Sequence, residues 1–374
     1  MPKSQANKDN YDVSLTSRIR GLVLGLALGD AVGSKASDVP KTGALEAGVA
    51  TQLAAWTVEG TLRHFTRYGP LVPGLTDIGL YAYQRWAVLR GIKPSTQDNW
   101  WPFLSPEDSP EHAAIRGWLV DEPLMSLSRG NSPATEKALR TGSAVSSAGC
   151  QAMLRVLPVA ATAHMLHGYW DVARDPNRQA KAEEWARGLA LLTHDDGERQ
   201  NTSVLAVRIL AECLGTSDSL TTAIEQVVRD FEVPVKDSIA ASVQAGLTAP
   251  CVPQTLEKLA ADKTSWSALA GGIYVALSFP AEDTVAEAIE FAGWAPDGDS
   301  VAAVAGAILG SRYGYEALPA QWVGRLELGW VLDRLAVDLS AEVHERQGGK
   351  AWKDDGYAPT RTLDPWWDTK YPGA

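Results

Sequence analysis

Arg18-Ile-Arg-Gly-Leu-Val-Leu-Gly25-Leu-Ala-Leu-Gly29-Asp30-Ala-Val-Gly33 is the stretch on which the fold turns. Its apolar residues recur at helical spacing and leave almost no polar face, which places this helix inside the molecule. Gly25 and Gly29 lie four residues apart, on one side of the helix. Each costs about 1 kcal/mol in helix propensity. In return, the missing side chains let a second helix approach the backbone closely. Asp30 follows directly in this apolar setting. A buried carboxylate without a partner is costly, so a hydrogen bond or an ion pair is expected there, with an arginine such as Arg155 as one candidate.

Outward from this helix the three- and four-residue recurrence of apolar residues continues along most of the chain. It marks helices over 52–65, 78–89, 152–165, 183–192, 203–214, 220–229, 238–246, 266–277, 284–291, 301–312 and 323–339. Alternating strand patterns with hairpin signals are scarce. Pro70, Pro73-Gly74, Pro94, Pro133, Pro250, Pro253, Pro280 and Pro296 fall between the periodic segments and read as loops. The expected fold class is therefore all-α, with one large helical domain over residues 16–345. Residues 1–15 read as a disordered tail, and 346–374 as an irregular tail that its Trp366-Trp367 pair could dock. Residues 93–146, rich in Pro, Ser, Gly and Trp, read as long loops around a pocket. Trp100, followed by Trp101, is a candidate substrate-binding aromatic wall there. Of the 14 tryptophans, Trp56, Trp86 and Trp330 read as helix packing.

Composition narrows the function classes. The formal net charge of −11 argues against a general nucleic-acid binder, which needs a basic surface to meet phosphates. No run of about 20 apolar residues is present, so no membrane partner is expected. Cys150, Cys213 and Cys251 are odd in number and widely spaced, which favours free thiols and a reducing cytoplasm. Nothing in the pattern fixes an oligomeric state.

Pro296-Asp297-Gly298-Asp299-Ser300 precedes a helix of small residues, Val301 to Gly310. Two carboxylates and a hydroxyl at such a mouth suit a hard divalent cation. A turn with a helix cap explains the same residues. Thr51 reads either as an N-cap or as a metal-site hydroxyl. His194, ahead of Asp195-Asp196, reads either as a pocket residue or as a loop histidine capping a helix end. Cys150 reads as a small apolar filler or as part of a drier pocket.

The opening helix, in this order with five later blocks, the last of them the tail Leu318-Pro-Ala-Gln-Trp322, resembles the ADP-ribosylglycohydrolase family. Thr51-Gln-Leu-Ala-Ala-Trp-Thr-Val-Glu59-Gly-Thr-Leu62 is similar to that family's Thr-Asp-Asp-Thr-Gln-Met-Ala-Leu pattern from its fourth residue onward. Ser147-Ala-Gly149-Cys150-Gln151-Ala-Met-Leu-Arg155-Val-Leu-Pro158 resembles its Gly-Asn-Gly-Ala-Leu-Met-Arg segment. Thr193-His194 resembles its Thr-His, and Asp297 to Gly314 its Asp-Thr-Asp-Thr with the closing helix. The resemblance implies a Mg2+- or Mn2+-dependent hydrolase of ADP-ribose linkages. It implies metal binding at Asp297, Asp299, Ser300 and Thr51, and catalysis by Asp30 and Asp299. It implies that Asp30, Gly149, Cys150, Gln151 and His194 meet the substrate.

The departures fall on chemistry-bearing positions. Gly48-Val49-Ala50 stands where the family carries Thr-Asp-Asp, Ser37 where many members carry Glu, and Cys150-Gln151 where they carry Asn-Gly. Two ions would bring a formal charge of +4 to the two remaining carboxylates, so the expectation is one divalent ion or none. Three readings stand open: a pseudoenzyme that binds ADP-ribose, an ADP-ribosylated ligand or a related small molecule; an active hydrolase using one ion; and a repurposed enzyme with an aromatic pocket.

Overall fold

The computed structural model describes residues 13–33, 39–68, 74–95, 117–165, 178–195, 197–216, 218–231, 236–344, 350–352, 359–362 and 364–372. Helix α1 spans Leu15–Val32, and the Ser14 side chain caps it by accepting from the Ser17 N–H at 3.1 Å. Helices α2 (Val49–Tyr68), α3 (Leu75–Leu89) and α4 (Pro133–Thr141) follow. Next come α5 (Gln151–Val156), α6 (Arg178–Leu191), α7 (Gly197–Gly215), α8 (Leu220–Asp230), α9 (Lys236–Thr248) and α10 (Pro253–Leu259). The series ends with α11 (Ser265–Ser278), α12 (Val285–Ala292), α13 (Gly298–Tyr313), α14 (Ala320–Val323), α15 (Gly329–Val343) and α16 (Trp367–Lys370). The fold is all-α; the described strands are a short antiparallel pair, β1 (Lys350–Trp352) and β2 (Pro359–Thr362).

Helix α1 is enclosed along nearly its whole length, and its principal partner is α13. The two run antiparallel, and small residues face each other at every turn. A Cβ added at Gly21 would strike the Gly310 carbonyl, one at Gly25 the Gly306 carbonyl, and one at Gly29 the Ala302 carbonyl. The groove expected from Gly25 and Gly29 is therefore filled by a helix as glycine-rich as α1. Around this pair, α11, α12 and α15 form a shell, and α2 packs on α3, α5 and α15.

Several expected boundaries shift for physical reasons. The helix expected over 152–165 is α-helical only to Val156 and tightens into a 3-10 helix over Leu157–His164. Pro158 lacks the N–H that an α-helical ladder needs there. The helix expected over 323–339 breaks at Gly324, and Leu326 bridges to Leu45 before α15 begins. The loop region 93–146 contains α4, whose C-cap Gly142 takes a left-handed φ of 71°. Trp56 and Trp86 are fully buried, as read from the sequence. Trp330 is not: it is 60% exposed and its ring meets Trp118 at 5.7 Å between centroids.

The C-terminal segment is tied down by polar anchors. Asp338 on α15, nearly buried, accepts from Lys370 Nζ at 2.6 Å and from the Tyr371 hydroxyl at 2.7 Å. Trp367 is buried and its indole N–H donates to Thr66 Oγ1 at 2.9 Å, whereas Trp366 faces outward.

If the backbone contact between α1 and α13 sets the core, then Gly25→Ala overpacks it. It should lower unfolding free energy by about 3 kcal/mol or more. Gly324→Ala is the control, because a methyl there meets nothing closer than 3.4 Å; its change should stay within about 0.5 kcal/mol. Equal losses in chemical denaturation of the two variants would count against this account.

Candidate functional site

The antiparallel pairing brings the C-terminal end of α1 against the N-terminal start of α13. Asp30 thus meets Asp297, Asp299 and Ser300 although some 270 residues of chain separate them. The start of α2 adds Gly48 and Val49, and the turn into α5 adds Gly149, Cys150 and Gln151. Together with the loop Ser128 to Asn131, Glu46, Ala47 and Lys263, these residues line a cavity of about 490 Å3. That volume suits a small-molecule ligand.

Asp30 finds its partner on α2, not on an arginine. Its Oδ2 accepts from the Thr51 N–H at 3.0 Å and from Thr51 Oγ1 at 2.5 Å. The carboxylate thus caps the helix by reaching across from α1, where it also meets the positive end of the α2 dipole. A Cβ at Gly48 would lie 2.5 Å from Asp30 Oδ1, so the glycine leaves the space that the carboxylate fills. Arg155, the partner suggested by sequence, instead donates to Thr135 Oγ1, Thr193 Oγ1 and the Leu189 carbonyl. Burial raises the Asp30 pKa to about 6, against the lowering effect of the two Thr51 hydrogen bonds and with a smaller push from Asp299.

Across the cavity, Asp299 Oδ1 accepts from the Ser300 N–H at 2.9 Å. Its pKa is also raised, by burial and then by the neighbouring Asp297. Cys150 Sγ lies 3.0 Å from Ser300 Oγ, within hydrogen-bond reach, and donates to Asp297 Oδ2 at 3.7 Å. Burial pushes its thiol up to about 12, so it is a neutral hydrogen-bonding group and not a thiolate nucleophile. Among the described residues, no group of three or more His, Cys, Asp or Glu side chains is placed to hold a metal ion.

The ADP-ribosylglycohydrolase family model matches residues 12–349. The chain belongs to this family. Solved structures match as well. One is titled "ADP-ribosylglycohydrolase-related protein complex"; it is 18% identical, with a TM-score of 0.55 over 88% of this chain and 99% of its own. At that identity the likeness shows the fold. A search of curated proteins gave no match.

Of the residues that the family resemblance singled out, the fold gathers Asp30, Gly149, Cys150, Gln151, Asp297, Asp299 and Ser300 at one cavity. Thr51 is buried behind Asp30. His194 stands back from the cavity, beside a chamber of about 10 Å3 that also touches Gly149, Ser203 and Ser265. Its Nδ1 is 2.8 Å from Thr193 Oγ1. Trp100, Ser37 and Asp38 lie outside the described residues. The sequence reading missed Glu46, Arg129 and Lys263. Arg129 is held by Glu327, with Glu46 at 3.3 Å. Lys263 sits in Asp262-Lys-Thr-Ser265, a stretch whose only visible signal is a helix start.

The raised Asp30 pKa fixes a sign for stability. An ordinary carboxyl, near 3.8, ionises before the folded-state group near 6. Between these values the folded protein binds the extra proton, so raising pH through this window removes stability, and the penalty is complete above about 6. Asp30→Asn keeps an oxygen for Thr51 and removes the penalty. Its stability relative to wild type should therefore rise from pH 4 to pH 7 in chemical denaturation; a pH-independent difference would contradict an Asp30 that titrates in this window.

Proposed function

We propose that this protein is a ligand-binding member of the ADP-ribosylglycohydrolase family that keeps the cavity but lacks efficient two-metal hydrolysis. Its ligand is ADP-ribose or a chemically related small molecule. The observation that carries the reading is the start of α2. Gly48, Val49 and Ala50 offer no side-chain oxygen, and the Asp30 carboxylate occupies the space beside Gly48. A dinuclear centre needs carboxylates from more than one segment to clamp two ions. Asp297 and Asp299 are the acids left opposite, and the Ser300 hydroxyl is already engaged with the Cys150 thiol. These donors do not fit two divalent ions.

A second reading has one Mg2+ or Mn2+ between Asp297 and Asp299. It is favoured by their mutual repulsion, which contributes to the raised pKa of Asp299. In either reading the chain's own residues act by binding: Asp30, Gly149, Gln151 and Lys263 line the cavity that would enclose the ligand.

Calorimetric titration of metal-stripped protein with ADP-ribose, with and without Mg2+ or Mn2+, separates the readings. Binding that is unaffected by the metal is expected. Binding that requires the metal would favour the one-ion reading. Metal-dependent release of ADP-ribose from a modified protein, abolished in Asp299→Ala, would overturn the proposal.

A further inference from the structure

Lys263 is a cation that the fold delivers to the acidic side of the cavity. It shares the lining with Asp297 and Asp299. The backbone that follows it is held in place. Thr264 forms an antiparallel bridge with Gly149, and the Ser265 N–H donates to the Ala148 carbonyl at 3.0 Å. Asp262 Oδ1 accepts from the Thr264 N–H at 3.0 Å, from Thr264 Oγ1 at 2.5 Å and from Ser267 Oγ at 2.6 Å. These bonds fix the turn to the same segment that supplies Cys150 and Gln151. Asp262 is consumed in the turn, which leaves the lysine charge to act on the cavity.

We infer that the Lys263 ammonium serves as a resident cation for Asp297 and Asp299, taking the electrostatic place of a divalent ion at the start of α13. The inference rests on the reading that the site does not assemble a two-metal centre, and it names the group that made this tolerable. Two neighbouring carboxylates beside a buried thiol need a counter-charge. A lysine on a flexible four-carbon stem supplies one without any coordination geometry. The same charge repels a divalent ion entering the cavity whose lining it shares. In this view Lys263 determines whether the cavity takes a metal.

The test uses Mn2+ alone as the probe. Metal-stripped wild type, Lys263→Met, Lys263→Arg and Lys263→Met/Asp299→Asn are titrated by calorimetry, with free Mn2+ followed by electron paramagnetic resonance. Lys263 is on an exposed turn, so the folds are expected to persist, and thermal melting checks this. Lys263→Met should bind Mn2+ at least about tenfold more tightly than wild type. Lys263→Arg should resemble wild type, and the double variant should lose the gain. No gain in Lys263→Met overturns the inference, and so does a gain that survives Asp299→Asn, because the ion would then sit elsewhere. ADP-ribose binding without metal, measured on the same wild-type protein, reports on the proposed function separately; either idea can fail while the other stands.

Discussion

The backbone contact between α1 and α13 is the constraint on which the rest of the structure depends. Helices ordinarily pack at 8–10 Å because side chains hold them apart. Here Gly21, Gly25 and Gly29 face Gly310, Gly306 and Ala302, and no side chain intervenes. Such a contact fixes the relative rotation and register of the two helices. A shift of one residue would drive a larger side chain into a carbonyl. Because the helices are antiparallel, this register also decides what faces what at one end. Asp30 must lie opposite Asp297 and Asp299.

A site built this way concentrates negative charge, and the molecule has to manage it. Its cost shows in the pKa values of Asp30 and Asp299, raised first by burial, and the answer has two parts. Part is hydrogen bonding: Thr51 and the start of α2 satisfy Asp30, while Cys150 satisfies Ser300 and Asp297. The remainder is the nearby lysine. In a protein that held two divalent ions, the ions would do most of this. Gly48 and Cys150 both belong to this arrangement: the glycine leaves the space that Asp30 fills, and the thiol meets Ser300 and Asp297.

The helices were legible in the sequence because burial on one face or on all faces imposes the 3.6-residue period. Reading failed where the period continued but the backbone could not, as at Pro158 and across 324–328. Trp330 was misread for a related reason. It falls within a helical pattern, yet periodicity does not say whether another element covers that face, and none of the described residues does so fully. The gathering of Asp30 with Asp297, Asp299 and Ser300 could be expected only through family resemblance, since no local pattern connects residues so far apart.

What the sequence by itself determined is the helical class, the glycine spacing that demands a close helix partner, and the absence of side-chain oxygens at 48–50. These are local properties, set by side-chain size, period and chemistry. Tertiary structure alone decided that the partner of α1 is α13, that Asp30 caps α2 rather than pairing with Arg155, and that Lys263 shares a cavity with two aspartates. Those outcomes depend on which distant surfaces meet, and a charge placed by a turn far along the chain leaves no mark on the residues it comes to serve.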